Sequence, residues 1–366
     1  MAQMLAKPRH TRPGPPRRYG GGSAKRTSEA IGTGHVPVLA LRAAVASTFT
    51  ESNMHKPFIA ELIAQVSDEE LRDSIFYLSK DPLPFRKANY MRPGQSKSTL
   101  DETDDFVEAK LRGWGYKVES DLHQAQACRC DESKPRHHWY ARPQPDDPWY
   151  TVRNLHARVT GARRPDEIIC VVAHKDSPSW IDSPGAHDNA GGAAGALEIA
   201  RVLAGYQQQR SLWLLFCNEE HMPWTSVAAA RAAKARGDNL IAIINLDALA
   251  GKSLADRDAG RKTNVTLYTT PEGEPLTQLM AEVNEAYGIG LEQTTYLRQR
   301  PGDDDGSFIK AGYPAAIANF GSYPYADPNY HEAGDTAESV DVPNLRMTVQ
   351  ATLAAILTLD ACVGHP

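Results

Sequence analysis

Three short segments of this chain are apolar almost from end to end: "IICVVA" (168–173), "SLWLLFC" (211–217) and "LIAIINL" (240–246). Each is rich in branched and aromatic residues and lacks the polar alternation of a half-solvated strand. Such runs read as strands covered on both faces. Between them lie stretches of helical character, "AGGAAGALEIARVLAG" (190–205) and "AAARAAKARG" (228–237). Buried strands alternating with helices define an α/β chain: a three-layer α/β/α sandwich around a mixed, mostly parallel, twisted sheet.

The flanking sequence extends this pattern. "YKVES" (116–120), "NLHARVTG" (154–161), "NVTLYTT" (264–270) and "AAIANF" (315–320) read as further strands. "EPLTQLMAEVNEAYG" (274–288) reads as a helix, and a final helix over 342–361 closes one face. Upstream, residues 57–80 are helical, with Ser67 and Glu70 in capping-box spacing at the start of a second helix. Residues 81–98 are broken by Pro and Gly and read as a linker. Phe106, Val107, Leu111 and Trp114 then form the apolar face of an amphipathic helix closed by Gly115. Residues 123–150 are polar, Pro-rich and irregular. The organisation read from this is a basic tail over 1–50, a helical extension and linker over 51–98, and an α/β domain over 99–366.

Charge is unevenly spread. Seven basic residues against one acid, Glu29, make the first thirty positions +6; with the whole chain at −5, the remainder carries −11. An acidic body argues against nucleic acid as a partner. The tail is rich in Pro and Gly, as disordered segments are. Its Arg17-Arg18 pair ahead of "VPVLALRAAVAS" has the outline of an export signal, but Arg42 interrupts the apolar region. The expectation is a cytoplasmic protein, with export the alternative. No apolar run is long enough to span a bilayer.

Five cysteines do not suggest a disulfide framework. Cys170 and Cys217 fall in the apolar strands and read as buried thiols. Cys128 and Cys130, near His137 and His138, lack the spacing of a zinc knuckle and read as a surface loop. "AGKS" (250–253) imitates a phosphate loop, but Leu246 stands where its first glycine should be.

The chemistry gathers at the strand ends. The first apolar strand runs into His174 and Asp176, the second into Asn218, Glu219 and Glu220, and the third into Asp247. In parallel α/β sheets these carboxyl ends share one edge, where ligands bind. Carboxylates cannot be packed together there without cations to offset them. Asp188, in "SPGAHDNAGG" before a helix, and His331, in "NYHEAGDT", complete a candidate set. Two histidines and three carboxylates can hold two zinc-like ions with one carboxylate shared; manganese or cobalt are substitutes. Singly, each residue has an ordinary explanation, Asp188 as a helix cap and His331 as a loop residue. Together, in order and in context, they do not.

In these motifs the sequence resembles the zinc aminopeptidases of peptidase family M28, over roughly residues 100–360. The resemblance implies that one zinc takes His174 and Asp247, the other Glu220 and His331, and that Asp188 bridges them. It makes Glu219 the general base rather than a ligand, and implies that the Asp188–Asn189 peptide is cis. Asp176 then orients His174: residues two apart in a strand face the same way, so its carboxylate can fix the imidazole tautomer. Tyr330 matches a tyrosine that steadies the oxyanion in some members. "GDDDGSF" aligns with a family segment beside the substrate, with Asp304 at its aspartate and Asp305 where a histidine is usual. His187 and His221 neighbour ligand positions and read as supporting residues. Trp180 and Trp224 are candidates to line a pocket for an apolar side chain.

The expected activity is removal of N-terminal residues from peptides with a free amine. The alternatives on the same fold are a glutaminyl cyclase, which typically works with one zinc, and a non-catalytic peptidase-like module, which typically loses ligands or base. The related M20 family carries an inserted domain before its last histidine. Here the 84 positions from Asp247 to His331 are already filled by a helix and two strands.

Overall fold

The computed structural model describes residues 55–322 and 326–362; the basic tail expected over 1–50 lies outside them. The strands are β1 (Val118–Ala127), β2 (Arg129–Cys130), β3 (Tyr140–Ala141), β4 (Trp149–Val159), β5 (Arg164–His174), β6 (Arg210–Cys217), β7 (His221–Met222), β8 (Asn239–Leu246), β9 (Thr263–Tyr268), β10 (Glu292–Leu297) and β11 (Ala316–Phe320). All but β2 and β3 form one sheet in the order β10-β9-β11-β8-β5-β6-β4-β1-β7. Its centre is parallel: β5 pairs with β6 and β8, and β8 with β11. Antiparallel pairs flank it on both sides, β9 with β11 and β4 with β6 and β1.

The two-faced burial of the apolar runs is visible residue by residue. In β5, Ile169, Val171 and Ala173 join one core, and Cys170 and Val172 the other. In β6, Leu212, Leu214 and Phe216 alternate in the same way with Trp213, Leu215 and Cys217. The first core is covered by helices α1 (Pro57–Ile63), α2 (Asp68–Ser79), α3 (Thr99–Gly113), α4 (Gly192–Leu203), α7 (Glu274–Ala286) and α9 (Val342–Ala361). The second is covered by α5 (Thr225–Arg236) and α8 (Asp303–Lys310); the short α6 (Leu254–Asp258) buries none of its residues. The sandwich therefore has three layers, as period-two burial on a central sheet requires.

Several local readings meet a different outcome. The Ser67 hydroxyl does cap α2 by accepting from the Glu70 amide at 3.3 Å. Glu70 does not close the box: the Ser67 amide donates to Glu198 at 2.6 Å, and Glu70 pairs with Lys110. Tertiary partners have displaced the local one. The reciprocal box sits instead at Ser98 and Asp101, starting α3. The polar stretch after residue 123 is part strand, because β1 runs on against β4 to Gln126 and against β7 at Ala127. Strand β10, "EQTTYL", is exposed along most of its length at the sheet edge and offers no apolar signal. Within residues 81–98 the first part packs into the body, with Leu83, Arg86, Lys87 and Ala88 buried, while 91–97 are largely exposed.

Candidate metal centre

Strand β5 ends at His174, and the chain continues extended through Asp176, with the Lys175 amide donating to the Cys217 carbonyl. The alternation is kept. Lys175 points away and is fully buried, donating to Asn218 at 2.6 Å and facing Asp104 at 3.0 Å. His174 and Asp176 share the other side, with Nδ1 of the imidazole 3.2 Å from the carboxylate.

Asp176 does more than orient one histidine. Its Oδ1 accepts from the Glu219 amide at 2.9 Å, and its Oδ2 accepts from the Glu220 amide and from His221 Nδ1, each at 2.8 Å. A single carboxylate thus fixes both the end of β5 and the Glu219-Glu220 turn after β6. Burial works against its charge, but these donors hold it well below the usual carboxylate range. The Ala88 amide donates to His221 Nε2 at 3.1 Å, so the His221 tautomer carries its proton on Nδ1. His221 is a support, as the sequence suggested.

Asp188 lies in an irregular turn, Ala186–Gly191, where it and Asn189 depart from helical dihedrals. The Asp188–Asn189 peptide is cis. Asn189 ties the turn down, donating to the Leu246 carbonyl at 2.8 Å and accepting from the Gly192 amide at 2.9 Å. Gly192 is required by this closeness: a β-carbon would come within 2.2 Å of the Asn189 Oδ1 and 2.3 Å of the Leu246 carbonyl. Before the turn, Gly185 has φ +61, and a β-carbon there would strike the Asp188 carbonyl.

The predicted residues converge. Asp188 Oδ1 lies 3.2 Å from His174 Nε2, and Oδ2 lies 2.9 Å from His331 Nε2. Asp247, just past β8, lies 3.3 Å from His174 Nε2, and Glu220 lies 3.2 Å from His331 Nε2. Ligating atoms of His174, Asp188 and Glu220 fall within 4.8 Å of one another, as do those of His174, Glu219 and Asp247. Glu219 and Glu220, adjacent in the turn after β6, thus reach different groups of the centre. The acids raise one another. Burial, then Asp304, Asp303 and Asp247, push Glu219 well above its ordinary value, and burial pushes Asp247 up to about 7. Burial also tends to raise Asp188, but the two imidazoles outweigh it and hold it down.

This cluster fits divalent cations by a direct test. Both oxygens of Asp188 are buried and accept no hydrogen bond, although an imidazole nitrogen stands beside each. A buried carboxylate without donors is costly unless a cation takes their place. The donor set of imidazole and carboxylate suits zinc.

Two supports escaped the sequence reading. Asp335, in the same loop as His331, accepts from the His187 amide at 2.8 Å, from His187 Nδ1 at 2.7 Å and from the Asp188 amide at 3.1 Å. Arg86, fully buried, gives its guanidinium to the carbonyls of Lys175 (2.8 Å), Leu78 (2.6 Å), Pro184 and Gly185 (each 2.7 Å). It staples the end of β5 to the turn that presents Asp188. Only the "GDT" after His331 hinted at Asp335, and nothing local marks Arg86.

A cleft of about 830 Å³ opens over the centre, lined by Glu219, Glu220, His331, Tyr330, Trp180 and Trp224 among others. Tyr330 stacks on His331 at 3.9 Å between ring centres, and Trp180 meets it edge-on at 4.9 Å. Asp304 differs from its expected place: it is completely buried behind the cleft, with the Cys217 thiol donating to it, and Asp303 is the aspartate that lines the opening. It is buried because α8 packs on the second core, which directs Asp304 inward. Asp305 is held by Arg298, a charge partner standing where the resemblance led one to expect a histidine. His137 and His138 stand on the cleft wall, and among the described residues they and the nearby cysteines form no metal-ligand group.

The model of peptidase family M28 matches residues 154–356, more than half of the chain, and the chain belongs to that family. Over 266 residues it is 28% identical to a "Probable zinc metalloprotease" of Pyrenophora teres f. teres, covering 59% of this chain and 53% of that one. It is 24% identical over 341 residues to "Leucine aminopeptidase 1" of Chaetomium globosum, covering 88% and 76%. The chain spans about half the length of the first of these relatives. Among solved structures the fold is similar to the LapA aminopeptidase of Legionella pneumophila, with TM-score 0.62, 16% identity and coverage of 84% and 75%. It is also similar to a glutaminyl cyclase of Bacteroides thetaiotaomicron, with TM-score 0.59, 17% identity and coverage of 80% and 98%. These likenesses concern the fold. Among the described residues no helix is long and apolar enough to cross a membrane.

Proposed function

We propose that the chain is a two-zinc aminopeptidase, hydrolysing the N-terminal bond of peptides with a free amine. The observation that carries this reading is Asp188: buried, without a hydrogen-bond donor, and set with one oxygen towards His174 and the other towards His331. His174 and Asp247 would hold one ion, Glu220 and His331 the other, and Asp188 both. Zinc would supply Lewis acidity, polarising the scissile carbonyl and making the attacking water more acidic. Glu219 takes no part in holding the ions; its carboxylate removes the water's proton and returns it to the leaving amine. Tyr330, on the cleft wall beside His331, donates its hydroxyl to the oxyanion. Trp180 and Trp224 give the cleft an apolar surface for the first side chain.

The test is mass spectrometry of a defined peptide mixture, with zinc counted on the same sample and a chelated control. Ladders shortened from the N-terminus, lost on chelation, are expected. Loss of ammonia from N-terminal glutamine would replace this reading with cyclase chemistry. An inert protein carrying both ions would end it.

A further inference from the structure

The cleft is bipolar. Its lining includes the acids Glu219, Glu220, Asp303, Asp327 and Glu332 on one hand and the basic Arg142, His137 and His138 on the other, with Glu332 already paired to Arg136 of the arm. A second cavity of about 310 Å³ shares His138, Tyr140 and Arg142 with the cleft and adds Lys134. These basic groups ride on an arm, residues 128–147, on an otherwise acidic body. The arm's own acids, Asp131, Glu132, Asp146 and Asp147, line neither cavity. Asp147 takes a two-pronged bond from Arg129 at 2.8 and 2.7 Å, Asp131 binds Ser133 and pairs with Lys134, and neither lines the two cavities. Arg142 makes no ion pair among the described residues, although it lines both cavities.

The arm is braced. The Gln144 amide donates to Asp147 at 2.7 Å, and Gln126 reaches the carbonyls of Gln144 and Asp147 at 3.1 and 2.8 Å. Trp139 donates its indole N–H to the Lys134 carbonyl at 3.0 Å, and Arg136 lies 3.7 Å from Glu332, next to His331. Arg142 is therefore carried on a fixed wall. The bracing belongs to the backbone that carries Arg142; its guanidinium is exposed, and it offers a fork that matches two carboxylate oxygens.

We infer that the Arg142 wall, with Lys134 and His138 behind it, is a carboxylate subsite that selects short peptides carrying a negative charge beyond the scissile bond. The inference rests on the aminopeptidase reading, and it names the substrate class of that site: a free amine towards the acidic floor and a carboxylate towards the arm. The carboxylate can come from the C-terminus of a di- or tripeptide or from an acidic side chain.

Three probes separate these sources: the tripeptide Leu-Gly-Gly as free acid, the same peptide as its C-terminal amide, and Leu-Glu-Gly as its amide. The zinc-loaded protein is expected to favour the free acid over the matching amide by about tenfold in kcat/KM, expressed in KM. In Arg142→Gln that ratio is expected to fall towards one, whereas Arg231→Gln, on an exposed face of α5, keeps it. If Leu-Glu-Gly amide regains the advantage, an acidic side chain serves as well as the C-terminus; if it does not, the C-terminus alone is the source. Equal use of acid and amide by the unaltered protein, or a preference untouched by Arg142→Gln, would overturn the subsite. Calorimetric binding of the same peptides to zinc-loaded Glu219→Gln keeps the two ideas apart. A charge preference in binding without turnover anywhere would spare the subsite and remove the peptidase reading, and equal binding of acid and amide would remove the subsite.

Discussion

The two histidines of the centre are held in different ways. His174 ends a central strand, and its Nδ1 faces Asp176, which is itself tied to two backbone amides and another imidazole. His331 sits in a loop with φ +54, its Nδ1 buried without a hydrogen-bond partner, and is steadied by rings: Tyr330 stacked on one face and Trp180 edge-on. One half is fixed by directional hydrogen bonds on rigid sheet, the other by aromatic packing beside the cleft. The half built on the sheet should resist change, and the half built on the loop should yield to what binds. Buried hydrogen-bond networks are worth more per group than ring contacts.

The following changes test that contrast, from the largest effect down. Glu219→Gln, which belongs to neither histidine's support, should lower kcat by about a thousandfold while zinc content stays the same. Stopped assays on metal-counted protein check it. Arg86→Met leaves the carbonyls of Lys175, Leu78, Pro184 and Gly185 without their donor. It should destabilise the fold by about 3 kcal/mol or more, read by urea unfolding. Added guanidinium ions are expected to recover part of the loss in Arg86→Ala but none in Lys87→Ala.

Asp176→Asn should weaken zinc at the His174 half by about ten- to a hundredfold, and less at the other half, which it reaches only through the Glu220 amide, measured by competition with a chelating dye. Equal weakening at both halves would break the contrast. The metal-free protein provides a pH test. Burial raises Asp247 to about 7, and the acids around His331 outweigh its burial and raise it to about 10. Between the unfolded and folded values of each group, the native state binds more protons than the unfolded one. Stability should therefore fall as pH rises, through Asp247 from about 4 to 7 and through His331 from about 6.5 to 10, with slopes of up to about 1.4 kcal/mol per pH unit for each group. Melting curves of chelated protein show the slope, and zinc should flatten it. Trp180→Ala is expected to have the mildest effect, raising KM and loosening zinc at the His331 half by less than about tenfold. A loss as large as that of Asp176→Asn would mean that the rings matter as much as the hydrogen bonds.

The floor of the centre was legible in the sequence because strand periodicity and metal chemistry speak locally. The three apolar runs announced strands covered on both sides, and the residues following them had to share an edge. That reasoning placed His174, Asp247, Glu219 and Glu220 together, and Asp188 before its helix and His331 in its loop completed the set. It was less able to place Asp304, whose alignment put it near substrate; only the packing of α8 shows Asp303 outward and Asp304 inward. Polar β10 escaped because an exposed edge strand has no apolar period to read.

The sequence by itself thus determined the class of fold and the chemical types gathered at one sheet edge, since both follow from short-range patterns. Tertiary structure alone decided which groups hold that edge in shape. Arg86 comes from 88 positions before His174, Asp335 from 147 positions after Asp188, and Glu198 replaces Glu70 at a helix cap. No local rule pairs such distant residues. Their partners are mostly backbone carbonyls and amides, which every residue carries and which a sequence therefore cannot mark.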